Sequence, residues 1–287
     1  MISQLRGNMN LEGKKALITG SRRGIGRTIA MQLAKEGADV GINDIVRDST
    51  ADHTIREVER LGSKVSWHQA NVGNSDDISR MMDEFEAEHG GIDIVVNNAV
   101  ASVKNSFLDI TEMDWDLEID NALKGPFLLS QRAAKTMVAQ RRGGRIVSIS
   151  SVHAFWAQEY NLVYGVAKAG LVRMAMSMAV DLAGHDITCN VVAPGLIDSR
   201  VLSAEDEHLR AGSAYAPDAA ERVPLRRSGV PDDIANMVVY LCSDAANYIN
   251  GQTFTVDGGM SIVAPTPAHH VPGTSNMSED EVESLRT

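Results

Sequence analysis

Short apolar runs alternate along this chain with longer segments whose apolar positions recur at helical spacing. Seven short runs have the β-rich make-up of strands: KALIT (15–19), DVGIN (39–43), KVSWHQ (64–69), IDIVVN (92–97), RIVSIS (145–150), ITCNVVA (187–193) and QTFTV (252–256). Helical patterns separate nearly all of them. Parallel neighbours need a long crossover, and right-handed crossovers stack helices on the sheet. Near-continuous apolar strands joined this way predict an α/β fold, doubly wound, with a parallel seven-stranded sheet covered on both faces.

Local chemistry marks some boundaries. Thr111 begins T-x-x-D, a capping-box-like helix start, and Pro231 suits the first turn of a helix through DDIANMVVYLCS. From Ala264 the composition shifts to Pro, His, Gly, Ser and acidic residues, so one compact domain is expected over 1–263 and a polar tail over 264–287. Ser278 followed by Glu281 would cap a short helix in that tail. With 287 residues and 44% hydrophobic content, the chain can bury a full core.

Charge and cysteine content narrow the function classes. Against 27 basic side chains stand 38 acidic ones, and the formal charge of -11 opposes general nucleic-acid or anionic-membrane binding. Cys189 and Cys242 lie far apart in apolar surroundings and read as buried, reduced thiols. The histidines are scattered except His269 and His270 in the tail, so no metal site is expected. The N-terminus lacks an apolar core of a signal peptide, and no run of about 18 apolar residues occurs. A soluble cytoplasmic protein is the expectation.

ITGSRRGIGRTIAMQLA follows the first strand and opens a helix. Gly20, Gly24 and Gly26 permit a tight turn and close phosphate approach, while the helix N-terminus offers unpaired N–H groups to an anion. Their G-x-x-x-G-x-G spacing differs from the common G-x-G-x-x-G, and a plain β-α turn is the alternative. Asp44, at the end of the second strand and about 20 residues beyond the glycines, is placed to accept bonds from an adenosine ribose and to repel a 2′-phosphate. Arg23 pulls the other way, because a guanidinium there can meet that phosphate. Asp44 carries more weight, which favours NAD over NADP.

Tyr164 and Lys168, in NLVYGVAKAG, lie at i and i+4 and share a helix face. A free phenol has a pKa of about 10, so its phenolate is scarce at neutral pH unless a positive charge is near. Lys168 can supply that charge. By itself the pair reads as ordinary helix packing. Ser151 ends the strand RIVSISS thirteen residues earlier, and VVAPG ends the next strand; strand C-terminal ends are where open α/β sheets gather ligands.

Together these residues resemble the short-chain dehydrogenase/reductase family, particularly its classical branch, from about Leu11 to Met260. TGSRRGIG, NNAV, Asn121, the Ser151, Tyr164 and Lys168 set, APGLID and GQTFTVDGGM carry the resemblance. It implies a Rossmann fold, a nicotinamide dinucleotide and a homotetramer with one interface on the helices containing Asn121 and Tyr164 and another on the TVDGG strand region. Tyr164 would be the general acid/base and Ser151 the stabiliser of the substrate oxygen. Lys168 would be both ribose ligand and electrostatic tuner, with Asn121 holding a water in a proton relay. Gly20, Arg23, Gly24, Ile25 and Gly26 would form the phosphate turn. Asn71 and Val72 would lie beside adenine, Asn98 and Ala99 near the central ribose, and Pro194, Gly195, Ile197 and Ser199 near the nicotinamide. Val100 departs from the family's N-N-A-G, and its branched side chain is expected to narrow the site or shift the loop.

SSVH and the polar, aromatic stretch after it resemble sugar-oxidising members such as glucose 1-dehydrogenases. His153, Gln158 and Glu159 could bond substrate hydroxyls or be loop residues in water, and Trp156 could be a pocket wall or a subunit contact. Residues 201–229 resemble the family's variable substrate lid. The leading expectation is an NAD-dependent dehydrogenase or carbonyl reductase for a sugar, polyol or cyclic alcohol. An NADPH-dependent 3-oxoacyl-carrier-protein reductase and a dinucleotide-sensing binding protein are the alternatives.

Overall fold

The computed structural model describes residues 9–199, 221 and 223–262. The tail over 264–287, including His269, His270, Ser278 and Glu281, lies outside the described residues, as does most of the 201–229 segment. All seven apolar runs are strands: β1 (Lys15–Ile18), β2 (Asp39–Asp44), β3 (Val65–Gln69), β4 (Ile94–Asn97), β5 (Gly144–Ile149), β6 (Ile187–Pro194) and β7 (Thr253–Val256). They form one parallel sheet in the order β3-β2-β1-β4-β5-β6-β7. The crossover helices are α1 (Gly24–Lys35), α2 (Ser49–Arg60), α3 (Ser75–His89), α4 (Glu112–Ile119), α5 (Gly125–Gln140), α6 (Leu162–Leu182) and α7 (Pro231–Cys242).

Local sequence starts these helices where the sheet needs them. Asp48 accepts from the Thr50 and Ala51 N–H groups at the head of α2, and Asn74 does the same for Asp76 and Asp77 at α3. Thr111 and Asp114 form the expected capping box of α4. Pro231 opens α7, and Asp233 accepts from Val230 N at 2.8 Å.

Two apolar layers cover the sheet. Ile29, Ala30 and Leu33 of α1 join Ile234, Val238 and Val239 of α7 on one face. Met81, Met82 and Phe85 of α3 join Leu129, Ala133 and Met137 of α5 on the other. Fully burying one such Leu, Ile or Phe contributes about 1.5–3 kcal/mol. Cys189 and Cys242 are free and buried, and burial pushes both thiols up to about 12, as inert core residues require. Together with the turn after it, α6 (Leu162–His185 in all) is the one helix among the described residues long and apolar enough to cross a membrane, by length and composition alone. Its buried positions, Val163, Ala167, Leu171 and Ala175, pack inward, while Leu162, Val166, Met176 and Val180 are exposed.

A polar chain lies buried beneath the β3 edge. Ser66 Oγ sits 2.7 Å from His68 Nε2 and 2.8 Å from His89 Nε2. One hydroxyl carries one proton, so it donates to one imidazole and accepts from the other. Glu84 lies 3.7 Å from His68 Nδ1, which favours the N–H there and makes His89 the donor to Ser66. Phe85 stacks on His89 with ring centroids 4.5 Å apart.

Burial, reinforced by Lys64, His68 and Lys15 and opposed by Asp39, lowers His89 from 6.5 to about 4; burial also lowers His68 against the pull of Glu88 and Glu84. A base whose pKa falls on folding is protonated more readily in the unfolded chain, so stability is lost as pH drops from about 6.5 through about 4. The urea midpoint of the wild type is expected to fall across that window. His89→Gln keeps an N–H for Ser66 but cannot titrate, so it should flatten the fall; an equally steep fall would assign the acid sensitivity elsewhere.

Candidate active site

Strand order reverses between β1 and β4, and the loops leaving their C-terminal ends diverge to open a crevice. Thr19 and Asn98 tie the two loops together. Thr19 Oγ1 accepts from Asn98 N and Ala99 N at 3.0 Å each, and Asn98 Nδ2 donates to Thr19 O at 2.9 Å and Gly20 O at 3.0 Å. Gly20 has φ of 61°, and a Cβ there would lie 2.8 Å from Ala99 Cα. Only glycine meets both demands. A Cβ on Gly26 would strike Gly20 O and the Asn98 amide.

The cap residue of α1 is Arg23, whose side chain makes no capping bond, so the first N–H groups of the helix receive no side-chain cap. Gly20, Arg23, Gly24, Ile25 and Gly26 line a cleft of about 620 Å³. Asp44, Val72, Asn98 and Ala99 also line it, as do Pro194, Gly195, Ile197 and Ser199. Asn121, Ser151, Tyr164 and Lys168 stand in the same cleft. Its glycine-lined turn, open helix N-terminus and carboxylate at the end of β2 fit a dinucleotide.

Two expected residues stand outside this cleft. Asn71 does not line the cleft: it is exposed, and its Oδ1 accepts from Gly73 N at 2.9 Å. An Asx turn uses the amide locally, so Ala70 and Val72 form that wall without it. His153 lines an adjoining groove of about 690 Å³ instead. Its ring stands edge-on to Tyr164 at 5.7 Å and to Trp156 at 4.8 Å. Burial, with Lys104 nearby, lowers His153 below 6.5 and favours the neutral ring.

Lys168 is 3% exposed, and its Nζ donates to Ile149 O at 2.7 Å. Ser150 Oγ donates to Lys168 O at 2.8 Å, so the end of β5 and the first turns of α6 are bonded in both directions. Burial lowers the ammonium to about 8. Its Nζ stands 5.4 Å from the centroid of the Tyr164 ring, close enough to influence the phenol's charge. Ser151 Oγ accepts from His153 N at 3.2 Å and keeps its own proton for another acceptor.

Asn121 lies in a π-helical turn, Asp120–Lys124, between α4 and α5. Such turns are rare and frequent at functional sites. The Asn121 side chain donates to Leu117 O at 2.9 Å. Gly73 and Gly125 allow the approach of this turn to the β3-α3 loop: added Cβ atoms would lie 2.9 Å from Asn121 Nδ2 and against Val72 O, respectively. Neither glycine stands out in the sequence.

Val100 is half exposed and is not among the residues with positive φ, so the loop takes a branched side chain at the cleft wall without backbone strain. Arg22 also escapes a sequence reading that attends to Arg23. It lines the cleft, with Nε 3.7 Å from Asp44 and Nη1 bonded to Asp48.

A family model described as enoyl-(acyl carrier protein) reductase matches residues 20–261. The 3-oxoacyl-(acyl-carrier-protein) reductase FabG of Staphylococcus epidermidis is 38% identical over 247 residues, covering 86% of this chain and 98% of that protein. The structure of acetoin dehydrogenase YohF from Salmonella typhimurium superposes with a TM-score of 0.81 at 32% identity, covering 88% of this chain and 98% of that one. Acetoin dehydrogenase from Enterobacter cloacae gives 0.80 at 34% identity, covering 91% and 100%. With that fold, that cleft and relatives matched over nearly their whole length, the chain belongs to the classical short-chain dehydrogenase/reductase family, and it is an oxidoreductase of the nicotinamide-dependent kind.

Proposed function

We propose that this enzyme interconverts a secondary alcohol and a ketone with NAD, and that Tyr164 carries the proton. The observation that carries the reading is the shared cleft, in which Tyr164 stands beside the buried Lys168 at one end and Asp44 at the other. In oxidation, the Tyr164 phenolate accepts the hydroxyl proton while the hydrogen on carbon leaves as hydride; reduction reverses both transfers. Bound nicotinamide supplies the hydride acceptor or donor. Lys168 favours the phenolate through its charge and holds the ribose, and Ser151 donates to the substrate oxygen. Asn121 stands at the cleft end of the proposed relay. Asp44 accepts from the adenosine ribose and disfavours a 2′-phosphate.

Of the sugar, polyol and cyclic alcohol expected from sequence, a compact cyclic alcohol fits best, and the likeness to acetoin dehydrogenases adds a short-chain alcohol to that class. The groove beside Tyr164 is walled mainly by Phe107, Phe155, Trp156, Tyr160, Leu162 and Val166, with His153 and Glu159 among its polar positions, and Gln158 Oε1 accepts from Asn161 Nδ2 at 3.1 Å. A second reading, an NADPH-dependent 3-oxoacyl-carrier-protein reductase, is favoured by the likeness to FabG. The exposed Met176 and Val180 of α6, which lie outside the groove beside Tyr164, support a subunit contact on that helix of the kind the expected homotetramer needs.

Nicotinamide absorbance, followed with NAD and NADP at matched concentrations, separates the two enzyme readings. Turnover of cyclic or short-chain secondary alcohols with NAD is expected; selective NADPH-dependent reduction of 3-oxoacyl thioesters would replace the first reading with the second. Tyr164→Phe is expected to lower kcat/KM at least about 100-fold with the fold intact. Lys168→Met should weaken cofactor binding and move the oxidation profile to higher pH. Normal kinetics in either variant would remove its assigned role. Light scattering of Met176→Glu combined with Val180→Glu should report a smaller particle than the wild type; an unchanged mass would rule out the α6 interface.

A further inference from the structure

Arg22 is held at both ends. Its backbone oxygen accepts from Thr54 Oγ1 at 2.7 Å, and its guanidinium meets two carboxylates, Asp48 at 2.5 Å and Asp44 at 3.7 Å. Arg22 and Asp44 line the cleft, whereas Asp48 does not. Asp48 uses Oδ1 to cap α2 through Thr50 N at 3.0 Å and Ala51 N at 3.1 Å, which leaves Oδ2 for Arg22. Helix capping therefore fixes the carboxylate that engages the guanidinium.

Two carboxylates around the Arg22 guanidinium leave that cluster with one net negative charge, against which Arg23 is the remaining guanidinium that lines this end of the cleft. A planar guanidinium is a strong partner for a phosphate, and a cleft-lining arginine would otherwise invite a 2′-phosphate. Resting on the NAD reading above, we propose that Asp48 is a positioning residue for cofactor selectivity. Without touching the cofactor, it occupies Arg22 and leaves Asp44 to set the charge met by the adenosine ribose. The selectivity is thereby shared between the carboxylate at the end of β2 and the cap of the following helix.

Asp48→Asn removes the charge and keeps an oxygen for the cap, and Asp48→Ser provides a second uncharged cap should the amide perturb folding. Equilibrium dissociation constants for NADH and NADPH, read from nicotinamide fluorescence on the full chain, require no substrate. In both variants the affinity for NADPH relative to NADH is expected to rise about tenfold, the range of a charge-assisted contact. Adding Arg22→Gln to Asp48→Asn should cancel the gain. A wild type that already binds NADPH more tightly would overturn the NAD reading beneath this inference. A wild type that prefers NADH, with a ratio unmoved in folded Asp48 variants or a gain that survives Arg22→Gln, would overturn the inference alone.

Discussion

The tie between Thr19 and Asn98 is the constraint on which the site depends. Parallel strands leave their C-terminal loops unpaired, and at the β1-β4 junction those loops run to opposite faces of the sheet. One hydroxyl accepting two N–H groups, and one amide reaching two carbonyls, hold the loops together across that divergence. Gly20 and Ala99 then meet backbone to backbone, which leaves the head of α1 facing open space. An anion-binding helix terminus thus follows from packing at the strand ends.

The second constraint is a buried ammonium. Removing a charge from water is costly unless it is hydrogen-bonded or paired, and Lys168 meets that requirement through Ile149 O at 2.7 Å. Its lowered pKa is the remaining cost of desolvation. Tyr164 shares its helix face, so the phenol stands in the field of a cation whose place is fixed by the end of β5. Rigid placement by a strand end and a helix also suits a proton-transfer group, whose geometry must hold while the substrate changes.

Much of this was legible in sequence because it is local or periodic. The strands read as apolar runs because both their faces are covered. Thr111 and Asp114, like Tyr164 and Lys168, lie within one turn of each other, so spacing alone implied their proximity. What escaped is mostly tertiary. Arg22 meets a carboxylate 26 positions away, and His89 meets Ser66 23 positions away. Gly73 and Gly125 matter through close approach to other segments, which no local pattern reveals. Asn71 is the opposite case: family position suggested the adenine, and what the fold adds is a short local turn in which its Oδ1 accepts from Gly73 N.

The central claim is that the crevice between β1 and β4 holds the dinucleotide with its two ends fixed by Asp44 and Lys168. A crystal structure of the full chain with NADH tests it directly. The account predicts the pyrophosphate on the first turn of α1, adenosine ribose hydroxyls bonded to Asp44, and nicotinamide ribose hydroxyls bonded to Lys168. A dinucleotide bound elsewhere, or one whose riboses engage neither residue, would contradict it.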